Sequence, residues 1–242
     1  MRNTRIYYDG SISSGAALTL STAASNHLVR VLRSKAGSTV TVFNGKGGEY
    51  SAVLLNENPK AAQLEITGFV DCDRESPLHI TLIQGLSRGE HMDTSIQKAT
   101  ELGVSEIVPV ICERSASIKK ERAAKKHARW RQIAISACEQ SGRNRLPFIH
   151  ETTAFDHAIN TVPAGTKLVM DPAADERIRS MEPDEASVCI LCGPEGGLSA
   201  QEVNEAAAQG FSRINTGPRV LRTETAGPAL ITALQTLWGD MG

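Results

Sequence analysis

The rhythm of apolar and polar positions changes near residue 74. Before it, period two dominates: Thr39-Val40-Thr41-Val42-Phe43 alternates, the turn Asn44-Gly45-Lys46-Gly47-Gly48 follows, and Glu49-Tyr50-Ser51-Ala52-Val53-Leu54 alternates again. That arrangement predicts a β-hairpin. Further strands are predicted at Arg5 to Tyr8, Ala17 to Leu20 and Ala62 to Val70, with one short helix from Ala23 to Leu32. A small β-barrel is the economical way to pack such strands. The polar stretch Asp71-Cys72-Asp73-Arg74-Glu75-Ser76-Pro77 reads as a linker.

After Pro77, continuous apolar runs of strand length alternate with helical stretches, the pattern of an α/β domain with a mostly parallel sheet and helices on both faces. The strands are predicted at His79 to Gln84, Glu106 to Ile111, Lys167 to Met170, Val188 to Cys192 and Arg213 to Asn215. Helices are predicted over Thr94 to Leu102, Ala123 to Gln140, Ala200 to Ala208 and Thr225 to Trp238; in the last, Leu230, Leu234, Leu237 and Trp238 recur at helical spacing. The expected division is a β-barrel domain over residues 1–73 and an α/β domain over 74–242. No apolar run reaches the roughly 20 residues of a membrane span, and Met1 to Gly10 lacks the apolar core of a secretory signal, so a cytoplasmic protein is expected.

Composition adds two points. The five cysteines are odd in number and favour reduced thiols. Cys189 and Cys192 form a Cys-x-x-Cys, but inside the strand Val188-Cys189-Ile190-Leu191-Cys192 alternation sends them to opposite faces, so no metal site is expected from them. The net charge of −1 conceals an asymmetry: the first 150 residues sum to +6 and the remainder to −7. From Arg114 to Arg131 eight Lys and Arg residues face one acidic residue, Glu121. Such a run is either a solvated helix face or, together with Arg30, Arg33, Arg88 and Arg143, an extended phosphate-binding surface for a polyanion.

The chemistry concentrates in two loops. Signatures of a Rossmann dehydrogenase, a P-loop NTPase, a zincin and an α/β-hydrolase are missing. Instead, Gly193-Pro194-Glu195-Gly196-Gly197 follows a predicted strand and precedes Ser199 and Glu202, spaced as a helix-capping box. Glycines at a strand-to-helix turn let the backbone approach a ligand. The second loop, Thr216-Gly217-Pro218-Arg219-Val220-Leu221-Arg222-Thr223-Glu224-Thr225, follows its own strand and opens the final helix. In an open α/β sheet, ligands bind at these strand ends.

The two loops resemble those of the RsmE family, the bacterial 16S rRNA uracil-N3 methyltransferases of the SPOUT class. The resemblance extends through His27-Leu28-Val29-Arg30-Val31-Leu32-Arg33, Phe43-Asn44-Gly45, Ser87-Arg88-Gly89-Glu90, Gln97-Lys98-Ala99-Thr100-Glu101-Leu102-Gly103 and Glu139-Gln140-Ser141-Gly142-Arg143-Asn144. It implies a PUA-like N-terminal domain that helps hold RNA and a C-terminal domain with a deep trefoil knot. Chains rarely knot, and only the resemblance supplies this feature. It also implies S-adenosylmethionine as cofactor, no metal, 16S rRNA of the small ribosomal subunit as partner (uracil-1498 in the family), and a homodimer. The apolar face of the last helix is compatible with dimer contacts or with packing inside one chain.

Carried onto this chain, the family pattern places Met170, Gly193, Gly196, Gly197, Thr216, Gly217, Leu221, Thr223, Thr225 and Ala226 around the cofactor. Arg222 is expected to stabilise the uracil anion, since a guanidinium stays charged and presents a fork of donors; its alternative role is an ion pair with Glu224 or Glu195. Glu195 is a second catalytic candidate, as base or as the group that holds the loop. The base itself is not identifiable at this level. Arg30, Arg33, Arg88, Arg114, Lys119, Lys120, Arg122 and Arg143 are the RNA-binding candidates. Two other readings fit: a knotted methyltransferase of another rRNA or tRNA position, and a non-catalytic RNA-binding assembly factor.

Overall fold

The computed structural model describes residues 4–116, 120–162, 165–181 and 186–242, with the side chain of Lys120 excluded. The chain divides into two compact units. Residues 1–75 and 138–146 form one, residues 76–137 and 147–242 the other. This differs from a single cut at 73/74 by residues 74 and 75 and by the segment 138–146.

The first unit contains β1 (Arg5–Tyr7), β2 (Ala17–Thr19), α1 (Thr22–Asn26), β3 (Thr39–Phe43), β4 (Glu49–Leu54) and β5 (Gln63–Val70). They make a five-stranded curled sheet in the order β1-β3-β4-β5-β2, antiparallel except for β1 with β3. The period-two pattern has its physical cause in the core: Val40, Val42, Ala52, Leu54, Leu64 and Ile66 bury one side of the sheet with Ile6 and Leu28. The predicted helix of residues 23–32 is α1 followed by a π-helical turn, His27–Val31, which leaves Arg30, Val31 and Arg33 exposed. π-helical turns are rare, and they frequently occur at functional sites.

Residues 138–146 join this unit through buried polar contacts. Tyr7 N–H donates to Glu139 Oε1 at 3.0 Å, and Asn144 Nδ2 donates to the Cys72 carbonyl at 2.8 Å. Arg143 is 6% exposed and holds Glu75 through Nε at 3.1 and 3.2 Å, with a further contact from Nη2. Burial pushes the Glu139 carboxyl above its ordinary value.

The second unit is built on a parallel sheet in the order β12-β10-β11-β6-β7-β8, with β9 beside β7. Its strands are β6 (His79–Gly85), β7 (Glu106–Ile111), β8 (Phe148–Ile149), β9 (Thr153–Ala154), β10 (Thr166–Met170), β11 (Ser187–Cys192) and β12 (Ser212–Ile214). Its helices are α2 (Glu90–Glu101), α3 (Lys120–Ser141, ending in the other unit), α4 (Phe155–Thr161), α5 (Ala200–Ala208) and α6 (Thr223–Trp238). Both faces are buried, which explains the unbroken apolar runs. Ile80, Leu82, Leu168 and Ile190 face α2, α3 and α6; Ile83, Val169 and Leu191 face α4 and α5. Cys192 belongs to the first of these cores and Cys189 to the second, so the two thiols lie on opposite faces. Burial pushes each up to about 12, leaving little thiolate for metal or redox chemistry.

The short elements β8, β9 and α4 lie where no element is predicted from pattern, because two-residue strands are too brief to show a period. In α6, Leu230, Ile231 and Leu234 are buried inside this unit, whereas Leu237 is half exposed. Packing within one chain therefore accounts for most of its apolar face. Among the described residues no helix is long and apolar enough to cross a membrane.

Candidate functional site

Three chain segments meet where β6, β11 and β12 end. The first loop leaves β11 at Cys192 and enters α5 through a complete capping box: Glu202 N–H donates to Ser199 Oγ at 3.3 Å and Ser199 N–H to Glu202 Oε2 at 2.8 Å. The second leaves β12 and opens α6. They are tied together by the buried Thr223, whose hydroxyl donates to the Gly193 carbonyl at 2.8 Å and accepts from Gln84 Nε2 at 3.0 Å, with Ser87 Oγ at 3.2 Å. Gly85 completes the joint: a Cβ there would lie 2.6 Å from the backbone nitrogen of Pro194. Thr223→Val keeps the shape and removes the hydroxyl. It is expected to cost about 1–3 kcal/mol, because the Gly193 carbonyl loses its best donor in a buried setting. Urea denaturation measures this; a loss near zero means the joint does not depend on that hydroxyl.

Between the loops lies a cavity of about 490 Å³. Met170, Cys192, Leu198, Ile214, Leu221 and Ala226 give it apolar walls, and Arg114, Arg219, Arg222, His91, Glu195, Glu224 and Asp171 add charge. Backbone donors are also on offer, since the N–H groups of Gly196, Thr216 and Leu221 make no hydrogen bond among the described residues. Of the residues expected at the cofactor, Met170, Gly193, Gly196, Gly197, Thr216, Leu221, Thr223 and Ala226 line this cavity. Gly217 and Thr225 do not. Gly217 turns the chain at φ 139° with its N–H held by Asn215 Oδ1 at 2.7 Å, and Thr225 is exposed in the first turn of α6.

Individual roles shift once partners are visible. A Cβ on Gly196 would lie 3.0 Å from Arg114 Cβ, so this glycine makes room for the arginine, while Gly197 is the open, left-handed position at φ 70°. Glu195 Oε1 accepts from the Arg88 N–H at 2.6 Å, which is the loop-holding role. Arg222 makes no side-chain hydrogen bond or ion pair among the described residues; Glu224 is instead 3.1 Å from His91. Asp171 carries Arg213 at 2.6 Å. His91, Asp171 and Asn215 are not among the expected site residues, because each stands alone in its local context, and Glu224 is expected only as an ion-pair partner of Arg222.

The RNA-binding candidates fall into three groups. Arg30 and Arg33 are exposed in the first unit, and Arg88 and Arg122 are exposed in the second. Lys119 and the side chain of Lys120 lie outside the described residues. Two candidates need correction. The buried pairing of Arg143 with Glu75 removes it from any phosphate surface, and the Arg114 guanidinium is turned to the first loop, donating to the Gly196 carbonyl at 3.1 Å.

An RNA methyltransferase domain matches residues 74–235, and an RNA methyltransferase PUA domain matches 20–67. Ribosomal RNA small subunit methyltransferase E of Buchnera aphidicola subsp. Acyrthosiphon pisum (strain APS) is 33% identical over 98% of this chain and 94% of its own. The chain belongs to the small subunit methyltransferase E family. A solved family member from Neisseria gonorrhoeae, bound to S-adenosyl methionine, is 40% identical with a TM-score of 0.92 and 100% of both chains covered. A Legionella pneumophila methyltransferase in complex with the same cofactor is 38% identical with a TM-score of 0.96, covering 99% of this chain and 100% of that one. The fold is thus an α/β methyltransferase domain on a parallel sheet flanked by helices, with a PUA-like first unit. Its path shows in the sheet: β11 lies between β10 and β6, the chain then leaves for the edge strand β12, and α6 returns to pack on β11, β6 and α2.

Proposed function

We propose that this protein methylates N3 of a uridine in 16S rRNA of the small ribosomal subunit, uracil-1498 in the family, with S-adenosylmethionine as donor. The observation that carries this reading is the cavity closed by two loops at parallel strand ends, with free backbone donors inside and the uncommitted Arg222 at its wall. Its chemistry fits the cofactor: apolar walls suit a flat adenine ring, and unpaired N–H groups suit that ring's polar edge. When bound, the cofactor supplies an electrophilic methyl group.

The chain's residues then have distinct tasks. Gly193, Gly196, Gly197, Thr216, Leu221 and Ala226 shape the cofactor's place. Arg222 sits where a fork of donors can hold the uracil carbonyls and the charge that develops when N3 loses its proton. Glu195 keeps the first loop against Arg88. Positioning two reactants in line is the main demand of such a transfer. Residues 1–73 serve as the RNA-holding domain and 74–242 as the methyltransferase domain, with Arg30, Arg33, Arg88, Arg122, Lys119 and Lys120 as phosphate contacts. The protein works in the cytoplasm as a homodimer; sedimentation velocity tests the latter.

Mass spectrometry of nucleosides from unmodified small subunits, incubated with protein and cofactor, decides the reading. A methyl on uracil N3 supports it; a methyl on a ribose or another base, or none at all, rejects it. For the RNA grip, Arg30→Gln with Arg33→Gln is expected to weaken binding and reduce the slope of log affinity against log salt by about 1–2, since each lost phosphate contact removes about 0.7–0.9. An unchanged slope means that the π-helical turn does not touch phosphate.

A further inference from the structure

We propose that His91, oriented by Glu224, is the general base that removes the N3 proton of the target uracil; the assignment rests on the methyl-transfer reading above. His91 is the second residue of α2 and Glu224 the second of α6. These two helices pack against each other through Met92, Ile96, Leu230 and Leu234, and both side chains line the same cavity. His91 Nδ1 lies 3.1 Å from Glu224 Oε1. An ionised carboxylate only accepts, so this contact places the imidazole proton on Nδ1 and leaves the Nε2 lone pair free. Nε2 makes no hydrogen bond among the described residues.

The environment divides the pair's work. The His91 side chain is 41% exposed, whereas the Glu224 side chain is 17% exposed and its Oε2 is buried with no hydrogen-bond partner among the described residues. Among the described residues no other cation pairs with that carboxylate, so it faces the charge that the imidazole gains on taking a proton.

The other ionisable groups of the lining are committed or cannot accept. Glu195 holds the Arg88 N–H, Asp171 holds Arg213 and the Ala173 N–H, and Cys192 is a buried thiol whose proton is held up to about 12. Arg114, Arg219 and Arg222 are donors only. Glu195 Oε2 and Glu224 Oε2 also keep lone pairs, but Glu195 is tied to the Arg88 N–H and Glu224 Oε2 is buried, so the half-exposed Nε2 of His91 is the base assigned.

The step balances as follows. His91 Nε2 takes the N3–H proton, and the N3 electron pair forms the new C–N bond while the methyl–sulfur bond breaks with its electrons remaining on sulfur. Arg222 faces the negative charge on the uracil, and Glu224 the positive charge on the imidazole. The imidazolium then returns its proton to water.

The test uses the full chain. Cofactor-free protein is examined by nitrogen-15 NMR of the imidazole, where wild type is expected to show the Nδ1–H form and Glu224→Gln a shift toward Nε2–H. Unmodified small subunits then give methyl-transfer rates against pH. His91→Gln is expected to keep calorimetric cofactor affinity, to lose about 10²–10⁴-fold in rate, and to lose the fall in rate on the acid side of the wild-type profile. Substrate carrying 5-fluorouridine, whose N3–H is more acidic, is expected to narrow the gap between variant and wild type.

His91→Asn repeats the measurements, so that a misfolded Gln variant does not decide the matter. Wild-type rate with an unchanged pH profile in either folded variant overturns the assignment, as does loss of cofactor affinity with no change in profile. An unaltered tautomer in Glu224→Gln overturns the orienting role. Wild type that leaves N3 unmethylated rejects the underlying reading instead.

Discussion

Arg222→Ala is expected to lower methyl transfer about 10²–10³-fold while leaving cofactor affinity unchanged. The magnitude is that of removing one preorganised donor from a developing negative charge. Arg222 is the N-cap residue of α6, its backbone carbonyl accepts the N–H groups of Thr225 and Ala226 at 2.8 Å, and its side chain is exposed at the cavity without an internal partner. Substitution by Ala therefore leaves the helix start in place and costs the fold little. Calorimetry with S-adenosylmethionine and single-turnover kinetics on unmodified subunits separate the two effects. A rate within threefold of wild type would remove Arg222 from the chemistry; an equal loss of affinity and rate would make it a binding residue.

Arg143→Ala is expected to cost about 3–5 kcal/mol of stability, the usual result of stripping one partner from a buried ion pair. Arg143 Nε reaches both oxygens of Glu75, at 3.1 and 3.2 Å, and the Arg143 carbonyl accepts from Arg5 Nη2 at 3.2 Å. Arg5 in turn holds Glu49 at 2.5 Å. Removing the guanidinium leaves the Glu75 carboxylate with little water and no partner. Lysine should not restore it, since an ammonium lacks the planar fork. Chemical denaturation measures the loss, and RNA affinity below the melting transition should retain its salt slope. A normal midpoint with a reduced slope would return Arg143 to the phosphate surface.

The Arg143 result also shows why a charge count misleads. In the sequence, Glu139-Gln140-Ser141-Gly142-Arg143-Asn144 looks like one more polar segment with an arginine on offer. Its partners Tyr7, Cys72 and Glu75 are far away along the chain, and no local pattern announces them. The same reasoning applies to Arg114, whose charge is turned onto the Gly196 carbonyl by the closeness of two loops.

Sequence alone determined what depends on neighbours along the chain. Period two marked the curled sheet, unbroken apolar runs marked strands buried on both faces, the Ser199/Glu202 spacing marked the start of α5, and glycine-rich loops after strands marked the ligand end. Burial and capping act over a few residues, so they leave a readable period.

Tertiary structure decided which side chains share a space. Thr223 met Gly193 and Gln84, Glu195 met Arg88, Glu224 met His91, and residues 138–146 joined the first unit. These pairings follow from how α2 and α6 pack and from where the chain crosses the sheet. A hydrogen bond between residues on different elements constrains neither one's local periodicity, and for that reason it leaves no trace in the sequence.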